Sequence, residues 1–181
     1  MSETIKELSD IQASALQEMG NIGAGHAAIA LSQLIEKKIM MAVTNVKLLG
    51  LEEFINLVGE NTLVVGIHLR VLVEIQSGII LVFLKDSALA LADVLMKQKI
   101  GTTKILEEIE QSALRETGSI LSAAYLNALS ELVHITLIPS VPKIVIDKAE
   151  VVLTSISGQL LKEEDIILAI ETEFIEASTR I

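Results

Sequence analysis

The segment SALQEMGNIGAG at Ser14–Gly25 is the most informative about the fold, because an altered copy of it, SALRETGSILSA, lies at Ser112–Ala123. The offset between the copies is constant: 116 minus 18, or 98 residues, carries Glu18 onto Glu116. Further identities at this offset are Ile11 and Ile109, Leu16 and Leu114, Gly20 and Gly118, Ile22 and Ile120, Ser32 and Ser130, and Val43 and Val141. A hydrophobic core requires apolar residues at such spacings, but it does not require Glu and Gly in phase. The repetition therefore predicts two related halves, each with the same polar helix face.

The composition limits the number of domains and the class of partner. A chain of 181 residues has the length of one ordinary domain. The repeat favours a single domain, residues 1–181, built from repeats at about 10–98 and 108–181. The net charge of −10 argues against nucleic acid or an anionic membrane as the main partner. It suits a protein partner with a basic rim.

Three further features predict a cytoplasmic protein. No apolar run approaches the roughly 18–20 residues that a membrane helix needs, so no membrane insertion is expected. The first ten residues, MSETIKELSD, are polar and acidic, unlike an export signal. The chain has no cysteine, which excludes disulfides, thiol catalysis and cysteine-bound zinc.

Hydrophobic periodicity and turn residues predict the order of helices and strands. Helices are expected from Ile11 to about Glu36 and at Leu51–Val58, Ser87–Met96, Glu107–Leu132 and, by the repeat, Glu150–Ile156. Strands are expected at Lys38–Leu49, Leu63–Val73, Gly78–Phe83, Ile135–Ile146 and Ile166–Phe174. The expected helix N-caps are Ser9-Asp10 and Asp86. This order predicts an α+β fold that is internally duplicated and pseudo-two-fold, with long helices packed on an antiparallel-rich β-sheet.

Polar residues form a row along one face of the first predicted helix. Ser14, Glu18 and Asn21 lie three or four residues apart, so their side chains are neighbours on the helix surface. The corresponding residues of the second helix are Ser112, Glu116 and Ser119. The apolar side of the first helix, which should face the core, is expected to include Ile11, Ile22 and Ile29. A single row of this kind is usually no more than a solvated surface.

Glycines around Asn21 make this helix segment costly. Gly20, Gly23 and Gly25 lie in or beside the helix, where each destabilises it by about 1 kcal/mol relative to alanine. Two explanations stay open. The glycines could permit close helix packing across the internal symmetry axis, or they could keep the surface low so that another protein can approach.

The whole pattern resembles the CheC-type phosphatases of bacterial and archaeal chemotaxis, a group that includes CheX and FliY. That family's pattern is Ser or Asp, three residues, Glu, two residues, Asn, and a Pro 23 positions after the Asn. The segment GNIGAG after Glu18 is similar to the family's most recognisable string. Each copy departs once: the first has Thr44 at the Pro position, whereas the second keeps Pro142 and has Ser119 in place of Asn. The two-copy layout resembles the CheC subgroup.

The resemblance implies hydrolysis of the aspartyl phosphate on the response regulator CheY. It implies that Glu18 contacts a lysine of the regulator, and that Asn21 positions the attacking water, for which a carboxamide is suited because it both donates and accepts hydrogen bonds. Glu116 and Ser119 would form a second, degenerate site. The supporting residues would be Ser14, Ser112, Thr44 and Pro142. No metal or cofactor of its own is expected, since CheY would supply the Mg²⁺.

A non-catalytic role is the competing hypothesis. A CheC-like module or scaffold could bind CheY, the receptor deamidase CheD, or both. Asn21 discriminates between the two hypotheses, because a module that only docks could retain Glu18 and lose the asparagine. Other chemistries fit less well: GNIGAG lacks the spacing of a dinucleotide-binding loop, and no carboxylate pair accompanies His26, His68 or His134 at metal-ligand spacing.

The last predicted strand also suggests an interaction surface. By the repeat, Ile166–Glu176 corresponds to Leu63–Val73, but nothing in the sequence after it matches the strand at Gly78–Phe83. An open apolar edge is therefore expected at Ile166–Ile170, available for self-association or another partner. The acidic residues Glu171, Glu173 and Glu176 could instead blunt this edge.

Overall fold

The computed structural model describes residues 9–72, 77–160, 166–176 and 179–180. Its helices are α1 Asp10–Ile35, α2 Leu51–Val58, α3 Lys85–Leu95, α4 Glu108–Val133 and α5 Ala149–Leu160. Its strands are β1 Ile39–Leu49, β2 Leu63–Leu72, β3 Ser77–Leu84, β4 Ile138–Pro139, β5 Lys143–Lys148, β6 Ile167–Glu176 and β7 Thr179–Arg180. The predicted α+β class is confirmed. The end of the predicted strand at Val73 and the link to the next predicted strand up to residue 76 lie outside the described residues.

The two long helices end in the same way, and in each the third residue's side chain accepts the N–H of the N-cap residue, through Gln12 in α1 and Glu110 in α4. At the start of α1, the Ser9 hydroxyl accepts the N–H of Gln12 at 3.3 Å, and the Gln12 side chain accepts the N–H of Ser9 at 3.0 Å. This reciprocal pair satisfies N–H groups that a helix start leaves free. Both helices end at a residue in the left-handed conformation, Glu36 with φ 57° and His134 with φ 56°.

The prediction that Asp86 caps α3 is wrong. The helix begins at Lys85 directly after β3, so that Leu84 occupies the N-cap position and Asp86 lies in the first turn. There its carboxylate still has a favourable interaction with the positive end of the helix dipole.

The chain builds two antiparallel sheets, and each sheet takes strands from both halves of the sequence. In one sheet β1 pairs with β6, and β7 pairs with the end of β6. In the other sheet β2 is central, with β3 along one edge and β4 and β5 along the other. The registers correspond: Leu49 pairs with Ile167, and Val64 pairs with Asp147.

Within the described strands, the edge predicted at Ile166–Ile170 is paired on one side of β6 and unpaired on the other. β6 is hydrogen-bonded to β1 along its whole length, from Ile167 opposite Leu49 to Glu176 opposite Ile39. The strand on this side, β1, comes from the first half of the chain. On its other side, within the described strands, β6 pairs with β7 only through Ile175 and Glu176, so residues 167–174 have no strand partner there.

Helices cover both faces of the central strand β2. Its Val65, Ile67 and Leu69 pack against α3 and Leu114 of α4. The opposite face, represented by Val64, packs against α2 and α5. Full burial of each such side chain contributes roughly 1.5–3 kcal/mol. The helices α1 and α4 also pack against each other, through Ala27, Leu31, Leu121 and Ala124.

None of the helices in the described ranges combines the length and the apolar character needed to cross a membrane.

Candidate functional site

The first polar row lies on the outer face of α1. Ser14, Glu18 and Asn21 are all exposed, and the helix places them along one line as the spacing predicts. Among the described residues, neither Glu18 nor Asn21 has a side-chain hydrogen bond or an ion pair. These two polar groups therefore remain available to an incoming molecule.

Gly20 allows α1 to lie close to the sheet just before Asn21. A Cβ atom at Gly20 would lie 3.2 Å from Cγ2 of Val43 in β1 and 3.6 Å from Cγ2 of Ile170 in β6. The first of these distances is tighter than ordinary van der Waals contact, so with a side chain here Val43 or the helix would have to shift by a few tenths of an ångström. The glycine at this position therefore allows α1 to pack closely against the sheet.

Gly23 serves packing as well, but against α4. A Cβ atom there would lie 2.7 Å from Cδ1 and 3.2 Å from Cα of Tyr125, so any side chain would collide with the tyrosine. Gly25 differs, because it is exposed and a Cβ atom would meet nothing within 4 Å. Packing thus explains Gly20 and Gly23, whereas Gly25 leaves the surface beside the polar row low.

The second polar row sits on a similar frame but differs in its side chains. Gly118 of α4 approaches Ile67 of β2, where a Cβ atom would lie 2.7 Å from Cγ2. Ser112 and Glu116 are exposed and Ser119 is half-buried. The guanidinium of Arg115 donates to the Ser112 hydroxyl at 2.8 Å, so that this serine, unlike Ser14, is already engaged within the protein.

Thr44 and Pro142 both lie where a strand ladder is interrupted. The β1–β6 register shifts between Val43 and Asn45, and the Thr44 hydroxyl donates to the carbonyl of Glu171 at 3.3 Å. Pro142 lies between β4 and β5, where it cannot donate to a ladder because it has no N–H. The two positions therefore correspond in structure as well as in sequence.

Three isoleucines beside the first row were assigned wrongly from the sequence. Ile11, Ile22 and Ile29 were expected to face the core, but their side chains are 82%, 43% and 60% exposed. Ile11 precedes Glu18 by two helical turns and Ile22 follows it by one, so both share its face. That spacing was the available signal. Together with Glu18 they give a surface of mixed apolar and polar character, typical of protein contacts.

The surface around the row is not a small-molecule pocket. An open depression of about 440 Å³ lies at the other end of α1, lined by residues from Ala28 to Ile39. Neither Glu18 nor Asn21 lines it. The exposed position of the row fits recognition of a macromolecule better than enclosure of a small ligand.

The three histidines are not grouped. His26 is exposed on α1, and His134 ends α4. His68 is buried in β2, and burial, with the nearby charges of Lys143 and Arg70, lowers its pKa. In the described ranges, no three His, Asp or Glu side chains are placed to hold a metal ion.

Comparison with known proteins places this geometry in context. Two solved structures have the same fold: Thermotoga maritima FliY, with a TM-score of 0.78 and 22% identity over 95% of this chain and 86% of that one, and a chain of the FliG-FliM complex from H. pylori, with a TM-score of 0.71 and 15% identity over 96% of this chain and 90% of that one. A profile of the CheC-like family matches residues 11–43, which include the first polar row.

Sequence similarity extends over nearly the whole chain. The CheY-P phosphatase CheC of Bacillus subtilis (strain 168) is 30% identical over 178 residues, which cover 94% of this chain and 83% of that protein. Similarity of this level and extent, together with the profile match and the shared fold, shows that the chain belongs to the CheC-like family.

Proposed function

We propose that this protein hydrolyses the aspartyl phosphate of a CheY-like response regulator, with Glu18 and Asn21 as the catalytic pair. The observation that carries the proposal is the exposed pair itself, whose polar groups have no partner among the described residues. The family relative from Bacillus subtilis, a CheY-P phosphatase, gives the substrate class.

The chemistry requires little from the protein beyond placement. Phosphoryl transfer proceeds when a water lies in line with the departing oxygen. The Asn21 carboxamide can accept a hydrogen bond from that water while it donates to the phosphate, which fixes the direction of attack. Glu18 would pair with a lysine of the regulator and hold α1 over the phosphate. The Mg²⁺ that neutralises phosphate charge would be supplied by the regulator.

The second row is proposed as a degenerate site within one duplicated domain. The equal registers of the two sheets and the matching contacts of Gly20 and Gly118 support two repeats, at about 10–98 and 108–181. A serine hydroxyl is shorter than a carboxamide and offers one donor rather than two. Ser119 is therefore expected to position water poorly, and Glu116 to contribute little to turnover.

A non-catalytic interaction module is the second candidate. The exposed Ile11, Ile22 and Ile29 favour it, because they offer apolar contact area whether or not hydrolysis follows. A partner of this kind would be CheY or CheD. The two candidates differ in turnover alone.

The deciding experiment follows the decay of phosphorylated CheY with and without the protein. Wild-type protein should accelerate the decay at substoichiometric concentration, and Asn21→Ala should remove most of that acceleration. Ser119→Ala, the matched change in the second row, should alter it less than twofold. Unchanged decay with wild-type protein that binds CheY would support the interaction module, and greater damage from Ser119→Ala would overturn the choice of site.

A further inference from the structure

Tyr125 occupies an unusual place beneath the first polar row. It belongs to α4, yet its ring lies directly against the backbone of α1 at Gly23. Its half-buried hydroxyl shares a hydrogen bond of 3.2 Å with the hydroxyl of Thr172 in β6. One side chain thus joins two helices and a strand.

Together with the contacts of Gly20, these contacts form a closed circuit around the helical turn that carries Asn21. On the near side, Gly20 rests on Val43 of β1, and Val43 stands opposite Thr172 in the β1–β6 register. On the far side, Thr172 bonds to Tyr125, which rests against Gly23. In order, the residues of this circuit are Gly20, Val43, Thr172, Tyr125 and Gly23. Asn21 lies between the two glycines of the circuit. The distance of its backbone from the sheet and the rotation of the helix at this turn are therefore fixed on both sides.

This circuit of contacts is specific to the first polar row. At the offset of 98 residues, the counterpart of Tyr125 is Ala27 and the counterpart of Gly23 is Leu121. Leu121 and Ala27 are both buried and pack in the same cluster between the helices. The second row therefore has a bulky residue on its own helix where the first row has a glycine, and no aromatic support from across the helix pair.

We propose that Tyr125 is a positioning residue for the reaction at Asn21. This inference rests on the proposed function. The tyrosine holds α1 at the distance from which the carboxamide meets both the water and the phosphate, and a displacement near 1 Å can cost about 100-fold in rate. The second half of the chain thereby contributes to the site of the first half, although Tyr125 contacts neither substrate nor regulator.

The test measures kcat and KM for phosphorylated CheY in the full-length protein. Tyr125→Leu removes the aromatic ring and should lower kcat at least tenfold. KM should change less than twofold, because Glu18 and the exposed isoleucines remain. Tyr125→Phe keeps the aromatic ring against Gly23 and should lower kcat measurably while retaining more than a fifth of the wild-type value. Thr172→Val should match Tyr125→Phe, and the double variant should be no worse than either single one, because both remove the same hydrogen bond.

A matched control separates positioning from loss of stability. Val152→Ala truncates a fully buried residue of α5, on the opposite face of β2, and should lower the melting temperature without changing kcat. If Tyr125→Leu proves unfolded, Tyr125→Phe and Thr172→Val carry the test, with a measurable and equal fall in kcat expected. Unchanged kcat in the folded Tyr125 variants, with active wild-type protein, would overturn this inference alone. Inactive wild-type protein would overturn the proposed function and this inference with it.

Discussion

The buried carboxylate of Asp93 accepts the backbone N–H of Gly101 at 2.7 Å. The same carboxylate accepts the N–H groups of Thr102 and Thr103 at 3.1 and 2.8 Å. Asp93 lies near the end of α3, and the three donors lie in the segment that leads to α4. One side chain therefore fixes the connection between the two halves of the chain.

Replacement of this side chain should destabilise the fold. Asp93→Ala leaves three N–H groups without their acceptor, and hydrogen bonds to a charged group contribute about 1.5–3 kcal/mol each before water replaces part of them. We expect a loss of about 3 kcal/mol in the free energy of unfolding, measured by urea denaturation. Asp86→Ala, a change in the first turn of the same helix, should cost far less. Equal losses would contradict the role of Asp93.

The pH dependence of stability should carry the signature of Asp93. Burial raises the pKa of this carboxyl, but the hydrogen bonds from Thr103, Gly101 and Thr102 together lower it below the ordinary aspartate value. A depressed pKa in the folded state stabilises the fold above the ordinary pKa, and this stabilisation is lost as the pH falls through the folded pKa. Between about pH 5 and pH 3 the wild-type protein should therefore lose more stability than Asp93→Asn.

Substitutions in the first polar row should affect CheY binding and turnover independently, with binding depending on Glu18 and turnover on Asn21. Glu18→Ala removes a charge-assisted contact to the regulator, so the Kd for CheY should rise by roughly tenfold to a hundredfold. Asn21→Ala should leave Kd within about twofold and lower turnover at saturating CheY. Titration of CheY by isothermal calorimetry checks the first expectation, and single-turnover decay checks the second. The reverse assignment would show that the proposed roles are exchanged.

The second row should gain activity from one substitution. In an Asn21→Ala background, Ser119→Asn provides the missing carboxamide on a helix whose Gly118 approaches the sheet as Gly20 does. We expect a partial recovery of CheY-P hydrolysis, below the wild-type rate, because the second row lacks the aromatic support that Tyr125 gives the first. Recovery to the full rate would show that this support is dispensable.

The titration of Tyr125 can be observed directly, because it is the only tyrosine and the chain has no tryptophan. Burial raises the pKa of its phenol, and the hydrogen bond with Thr172 lowers it in part. Absorbance of the phenolate should therefore show ionisation above pH 10, and Thr172→Val should move it further upward. Since the folded pKa is raised, the stabilisation is present below pH 10 and is lost as the pH rises through the folded value. Ionisation at the ordinary tyrosine pKa would contradict the described burial.

The sequence predicted what depends on local order. The N-cap at Ser9, the approximate ends of the long helices and the polar row follow from residues close in the chain, so the local sequence was sufficient. It left Gly20 and Gly23 undecided, because their close contacts, Val43 and Tyr125, are distant in sequence. The apolar Ile11, Ile22 and Ile29 were misassigned for a related reason. Periodicity shows that a helix has an apolar side, but it does not show how much of that side the neighbouring helix covers.

Strand pairing was the least accessible part of the fold. A repeat indicates that β1 resembles the strand containing Lys143, and that β2 resembles β6, but it does not indicate whether pairs form within a half or between halves. The choice depends on how α1 and α4 pack, which is a tertiary matter. For this reason the pairing of β6 with β1 was not predicted, although the open edge on the other side of β6 was.

The exchange of strands between the halves has a consequence for how the protein is made. β1 leaves the ribosome early, yet its hydrogen-bonding partner β6 is synthesised after almost everything else in the described chain. Until β6 has been made, the backbone of β1 lacks its hydrogen-bonding partner, and the nascent first half exposes the edge of this strand together with its apolar residues. Closing so long a loop is slow in proportion to the sequence separation of its contacts. The pairing of β1 with β6 must therefore wait until the second half has been made, and the incomplete chain is the form most exposed to aggregation.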